Sequence, residues 1–227
     1  MPRQTVNISV KIKPGSRLLF IGDSVTDCDR LRPVGTGSPF ALGTGYVAEV
    51  ESLLETPKGG RPVRITNLGT NGNTVRDLAK RWDADVIALE PDWLSVMIGI
   101  NDVWRQFDGV DPSSAVRLDE FWDTYDGLLS RTRPLLKGLI LMTPYYVQSD
   151  RGDPMRIMMD EYGLVVKDLA NRHSALLVDT QAAMDRVLGR SDFKAIAPDR
   201  VHPTPMGHKI LAHAFLRAIG ITTRPRR

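Results

Sequence analysis

The chain has 227 residues, 42% hydrophobic and 25% charged, the balance of a globular protein and not of a disordered or fibrous one. Its formal net charge of +3 equals the charge of Arg224, Arg226 and Arg227 at the end of the chain, so the body is neutral and offers no broad basic face to nucleic acid. A single cysteine, Cys28, excludes an internal disulfide and a multi-cysteine metal site, and it suits a reducing compartment, with the cytoplasm as the expected location.

A chain of this length can bury a full core without staples, and one domain over residues 1–227 is expected, with its ordered body at about 17–221. Met1 to Lys13 lacks the apolar core of a signal peptide, and the longest apolar stretches, such as Trp93 to Ile100, fall far short of the ~20 residues of a membrane span. No membrane partner is expected, and the arginine-rich end reads as a solvated tail.

In chain order, five segments read as buried strands: Arg17–Asp23, Val63–Gly69, Asp92–Gly99, Gly138–Pro144 and Ser174–Thr180. Each is short, apolar on both faces and closed by Gly, Pro, Asp or Thr. Helical spacing fills the stretches between them, as in Asn73–Leu89 and Met155–Arg172, and Pro205–Ile219 reads as a closing helix. The Pro/Gly-rich segment Arg32–Gly45 reads as an ordered surface loop. Alternation of this kind builds an α/β protein with a parallel sheet between helix layers, in which ligands bind at the carboxyl ends of the strands.

Three of those ends carry glycine beside hydrogen-bonding residues: Gly22-Asp23-Ser24, Asn71-Gly72-Asn73 and Gly99-Ile100-Asn101-Asp102. Ser24 or Asn101 alone is also what an ordinary helix cap looks like. Their recurrence on three successive strands points instead to close backbone approach by a ligand. Far along the chain, Pro198-Asp199-Arg200-Val201-His202-Pro203 reads as a stiff turn in which Asp199 and His202 can meet. A serine hydroxyl needs a base, and an imidazole base works best when a carboxylate holds its tautomer, which are the roles open to Ser24, His202 and Asp199. Acyl transfer also needs donors for the developing oxyanion. The candidates are the N–H groups of Ser24 and Gly72 and the side-chain amide of Asn101.

Other chemistries fit less well. The second glycine of a G-x-S-x-G elbow is missing around Ser24. His208 and His213 are five apart on one helix, about 140° around its axis, and cannot chelate one metal as an i, i+4 pair would. No phosphate-cradling glycine loop follows the first strand, so neither a metal nor a nucleotide cofactor is expected. Cys28 has no base near it in sequence and reads as buried filler.

Four blocks in this order, Phe20-Ile21-Gly22-Asp23-Ser24, Asn67 through Asn73, Gly99-Ile100-Asn101-Asp102 and Asp199-Arg200-Val201-His202-Pro203, resemble those of the SGNH hydrolases, also called the GDSL esterase/lipase family. The resemblance implies a three-layer α/β/α, flavodoxin-like sheet of five parallel strands in the order 2-1-3-4-5. It assigns the nucleophile to Ser24, the oxyanion hole to Ser24, Gly72 and Asn101, and the remaining triad members to Asp199 and His202. Val25 stands where many members have leucine, a packing position. Further segments, among them Met97 through Gln106, Met142 through Tyr146 and Asp153-Pro154-Met155-Arg156, are similar to intracellular acetylxylan esterases. That likeness implies deacetylation of small acetylated xylo-oligosaccharides by a homo-oligomer. Asp23, Trp104, Tyr145 and Tyr146 are the candidate substrate contacts, and the three aromatic residues with the loop Arg32–Gly45 form the expected sugar-facing wall. Two alternatives stay open: a short-chain carboxylesterase or thioesterase on the same constellation, and a catalytically silent glycan-binding module.

Overall fold

A computed structural model describes residues 11–34, 38, 40–54, 60–109 and 112–221. Strands β1 (Arg17–Gly22), β2 (Arg64–Gly69), β3 (Trp93–Met97), β4 (Gly138–Met142) and β5 (Leu176–Val178) form one parallel sheet in the order β2-β1-β3-β4-β5. This is the expected order, and each strand lies inside the segment read from the sequence. The strands are shorter than expected: β1 and β5 stop just before Asp23 and Asp179, which cap the next helices, and β2 and β5 also begin later than the segments read from the sequence. β5 departs from the expectation in burial too. As an edge strand it pairs, among the described residues, only with β4, and Leu177 is 37% exposed.

Alternation along the strands divides the apolar side chains between two cores. Leu19, Ile21, Leu94, Val96 and Leu141 face α3 (Val75–Trp82), α5 (Leu118–Thr132) and α6 (Pro154–Arg172), where they meet Leu78, Trp82, Phe121 and Val166. Leu18, Phe20, Met97, Ile140 and Met142 face the opposite way. Their partners are Tyr46 and Val50 of α2 (Tyr46–Leu53), Met184 of α7 (Thr180–Leu188), and Leu211 and Phe215 of α9 (Pro205–Ala218). The result is the three-layer α/β/α arrangement. Short helices α1 (Ser24–Asp27), α4 (Ile100–Trp104) and α8 (Phe193–Ile196) fill the corners. The segment expected to be helical over Asn73–Leu89 is α3 followed by a π-helical turn at Asp83–Ile87, which the bond from the Ala88 N–H to the Asp83 carbonyl closes at 2.8 Å.

Register decides where the site forms. Gly22 stands opposite Gly69 on one side and Met97 on the other, so the chains leaving β1, β2 and β3 emerge side by side. Met1 to Val10 and residues 222–227, with the three terminal arginines, lie outside the described residues. Among the described residues no helix is long and apolar enough to cross a membrane.

Candidate active site

Ser24 is the first residue of α1, and Asp23 caps that helix by accepting the Val25 N–H at 3.0 Å. The Ser24 N–H thus belongs to the first turn, where a helix provides no acceptor of its own. Ser24 Oγ lies 3.0 Å from His202 Nε2 across 178 positions of chain. On the far side of the ring, Nδ1 is 2.6 Å from Asp199 Oδ2. A carboxylate can only accept, so Nδ1 carries the proton and Nε2 turns its lone pair toward the serine hydroxyl. Asp199 Oδ1 accepts the N–H groups of Val201 (3.0 Å) and His202 (2.7 Å). Partial burial alone would raise the Asp199 pKa. The ring bond from His202 and the two backbone donors outweigh it and hold the carboxyl below its ordinary value.

The turn bearing Asp199 and His202 is held from three directions. The Val147 N–H donates to the Arg200 carbonyl (2.9 Å), and Arg200 Nη1 returns a bond to the Val147 carbonyl (3.0 Å). The Tyr145 hydroxyl donates to the Val201 carbonyl at 2.8 Å. Thr204 caps α9 and reaches back to α8, its N–H on the Ile196 carbonyl (2.8 Å) and its hydroxyl on the Ala195 carbonyl (2.6 Å). The Arg200 guanidinium also sits 3.9 Å from the centre of the Phe193 ring.

On the opposite side, Gly72 adopts φ +74°, a left-handed conformation that favours glycine, and its carbonyl accepts Arg105 Nη2 at 3.1 Å. Gly99, at φ +126°, turns the chain from β3 into α4 and so carries Asn101 to the sheet edge. Asn101 Nδ2 donates one hydrogen to the Asn73 carbonyl at 2.9 Å, leaving the second hydrogen of the amide for another acceptor. Arg81 ties the strand ends together through the carbonyls of Gly22 (3.0 Å) and Leu68 (2.9 Å) and the side chain of Asn73 (2.7 Å), with Asp85 as its counter-ion at 2.6 Å. Neither Arg81 nor Arg105 was legible as a site residue, because a lone arginine in a helical stretch looks like any solvated position.

Two of the four candidate substrate contacts, Asp23 (2% exposed) and Tyr145 (1%), lie beneath the rim, where Asp23 accepts the Val25 N–H and the Tyr145 hydroxyl donates to the Val201 carbonyl. Burial pushes the Asp23 carboxyl up to about 7, against the opposing pull of the Val25 N–H and His202. Trp104 is half-buried, its ring centre 6.0 Å from that of His202. Tyr146 is half-buried too, its backbone N–H and carbonyl bound by the Gln181 amide at 2.8 and 3.2 Å. Phe40, on the Arg32–Gly45 loop, is 60% exposed, while residues 35–37 and 39 of that loop lie outside the described residues.

Cys28 also differs from its reading as filler. It is half-buried, and its Sγ lies 3.3 Å from His208 Nε2, a residue 180 positions away. His208 Nδ1 accepts the Tyr46 N–H at 3.1 Å, so the neutral ring keeps its proton on Nε2 and donates to sulfur. Burial pulls the His208 pKa down to about 4, which keeps the ring neutral. This pair therefore has no base for the thiol. Among the described residues no three His, Cys, Asp or Glu side chains form a group fit to hold a metal.

Sheet order, helix layers and the edge residues together define the fold class of the SGNH hydrolases. The model of the GDSL-like lipase/acylhydrolase family matches residues 20–210, and the chain belongs to that family. It is 55% identical over 212 residues to an acetylxylan esterase of Geobacillus stearothermophilus, an overlap of 93% of this chain and 97% of the relative. The crystal structure of Axe2, an acetylxylan esterase from that organism, is similar with a TM-score of 0.90 at 54% identity, over 95% of this chain and 100% of the other. LAE5, an α/β hydrolase enzyme from the metagenome of Lake Arreo in Spain, has a TM-score of 0.90 at 46% identity, over 93% and 98% of the two chains. Solved catalytic mutants of Axe2 replace a serine, an aspartate or a histidine by alanine.

Proposed function

We propose that this protein is a serine esterase that removes acetyl groups from carbohydrates, with acetylated xylo-oligosaccharides as its substrates. The observation that carries the reading is the continuous relay from Ser24 through His202 to Asp199, at 3.0 and 2.6 Å. Its likeness to an acetylxylan esterase over nearly the whole chain supports the choice of ester.

In the first half-reaction, His202 Nε2 takes the Ser24 proton as Oγ attacks the acetyl carbonyl carbon. The carbonyl oxygen becomes an oxyanion held by the N–H groups of Ser24 and Gly72 and by the free amide hydrogen of Asn101. Asp199 steadies the imidazolium. As the C–O bond to the sugar breaks, His202 gives its proton to the departing sugar oxygen, leaving acetyl-serine. Water then attacks with His202 as base, and collapse of the second intermediate returns the proton to Ser24 Oγ and releases acetate. Trp104, Tyr146 and the Arg32–Gly45 loop supply the wall against which the sugar stacks.

Release of acetate from acetylated xylo-oligosaccharides tests this. Wild-type protein should release it and Ser24→Ala should not. A Ser24→Ala protein of undiminished activity overturns the nucleophile, whereas a wild type active only on aryl or thioesters favours the short-chain esterase alternative. The reading extends to a single domain in the cytoplasm, which a lone cysteine suits. It also includes a homo-oligomer, to be checked by size exclusion with light scattering.

A further inference from the structure

The esterase reading leaves open what limits the acyl group. We propose that the ring of Tyr145 is the end wall of a blind acyl pocket that admits a methyl group and nothing longer, a proposal that rests on that reading. The cavity in question is bounded by Asp23 and Val25, the chain neighbours of Ser24, by Ile100, the neighbour of Asn101, and by Met97, Pro144 and Tyr145 from the ends of β3 and β4. Its free volume of about 10 Å³ is room for one water-sized group. A buried water needs two to four polar partners, and the lining provides one carboxyl among apolar side chains, so a methyl suits the space better than a water does.

The wall is fixed. Tyr145 is 1% exposed, and its hydroxyl is held at 2.8 Å by the Val201 carbonyl, one residue before His202. Two residues further on, Val147 pairs with Arg200 through its N–H and its carbonyl. The wall and the base thus share one support. A longer acyl chain that pushed the ring outward would push Val201, and with it His202, away from Ser24. Tyr145 is on this account a specificity-determining residue, and long acyl groups are penalised in kcat as well as in binding.

The test is kcat and KM on p-nitrophenyl acetate, propionate, butyrate and hexanoate for wild type, Tyr145→Ala, Tyr145→Leu and Tyr145→Phe, with Ser24→Ala as the blank. Wild type should lose at least tenfold in kcat/KM between acetate and butyrate. Tyr145→Ala should raise the butyrate-to-acetate ratio about tenfold or more, the scale on which pockets discriminate methylenes. Should that variant fail to fold, Tyr145→Leu keeps an apolar side chain and should shift the ratio the same way. Tyr145→Phe keeps the wall and loses only the bond to Val201. It should retain the wild-type length profile, with kcat on acetate several-fold lower and KM unchanged. Equal wild-type rates on butyrate and acetate overturn the proposal without any variant, as does a folded Ala or Leu variant with the wild-type profile or a Phe variant with a widened one. Loss of every esterase activity from wild type, or its survival in Ser24→Ala, would instead remove the underlying reading.

Discussion

Ser24 and His202 meet at 3.0 Å, yet the surroundings of each are unlike. On the serine side, Asp23 and Val25 are each 2% exposed, and the strand ends are bound together from below by Arg81. On the histidine side, the side chains of His202 and Asp199 are 48% and 47% exposed, and their turn hangs from Tyr145, Val147 and α8 by hydrogen bonds to backbone carbonyls. The serine half is a product of the sheet, where packing and chemistry act on the same residues. In the histidine half they are separable, because the side chains proposed to react bury little and the groups that position them are elsewhere.

The sharpest way to break the comparison is to remove the proposed base. His202→Ala should cost about 10⁴–10⁶ in kcat, as single triad deletions do elsewhere, while the melting temperature stays close to wild type because an exposed side chain is lost. Asp199→Asn should fall by about 10⁴, since the wrong tautomer is then favoured. A large loss of melting temperature in either would mean that the exposed half is a structural element after all.

The proposed oxyanion donors come next. Asn101→Ala should lose about 10²–10³ in kcat, or about 2.7–4 kcal/mol of transition-state stabilisation, with KM little changed. A smaller loss, about tenfold, is expected for Arg105→Met. Its bond to the Gly72 carbonyl is charge-assisted, and such bonds contribute roughly 1.5 kcal/mol or more. Wild-type kcat in Arg105→Met would mean that Gly72 holds its left-handed conformation unaided.

How much of this was legible divides along the same line. The strands could be read because they are apolar on both faces. Ser24, Gly72, Asn101, Asp199 and His202 could be singled out because glycine and polar residues at strand ends, and Asp and His between prolines, are unusual in kind. Arg81 and Arg105 could not, and Tyr145 was singled out for a different role. Their partners are the carbonyls of Gly22, Gly72 and Val201, and every residue type has a carbonyl, so such bonds leave no trace in composition or spacing. Tyr145 was expected on a sugar-facing wall because aromatic residues near strand ends suit that role, and only the path of β4 and the loop after it reveals that the ring points inward. The contact between Cys28 and His208 joins positions 180 apart and is equally silent in sequence.

The last expected effect falls on stability and leaves the chemistry aside. Asp102 follows Asn101 in α4 and is fully buried. Its Oδ1 accepts the Val75 N–H at 2.9 Å, and its Oδ2 has no partner among the described residues. Burial pushes its pKa from 3.8 up to about 7. Between about pH 4 and pH 7 the folded state therefore holds more protons than the unfolded one, and stability falls as pH rises through that window. The full penalty, on the order of a few kcal/mol, is present above pH 7. His208 acts in the opposite sense: its pKa, pulled down from 6.5 to about 4, removes stability as pH falls through that range. Asp102→Asn keeps an acceptor for Val75 and leaves His208 untouched, so the difference between variant and wild type isolates the carboxyl. The variant should melt several degrees higher than wild type at pH 8, and the gap should narrow by pH 5. A gap of equal size at both pH values, or none at pH 8, would mean that the Asp102 carboxylate is stabilised in the fold and not strained by it.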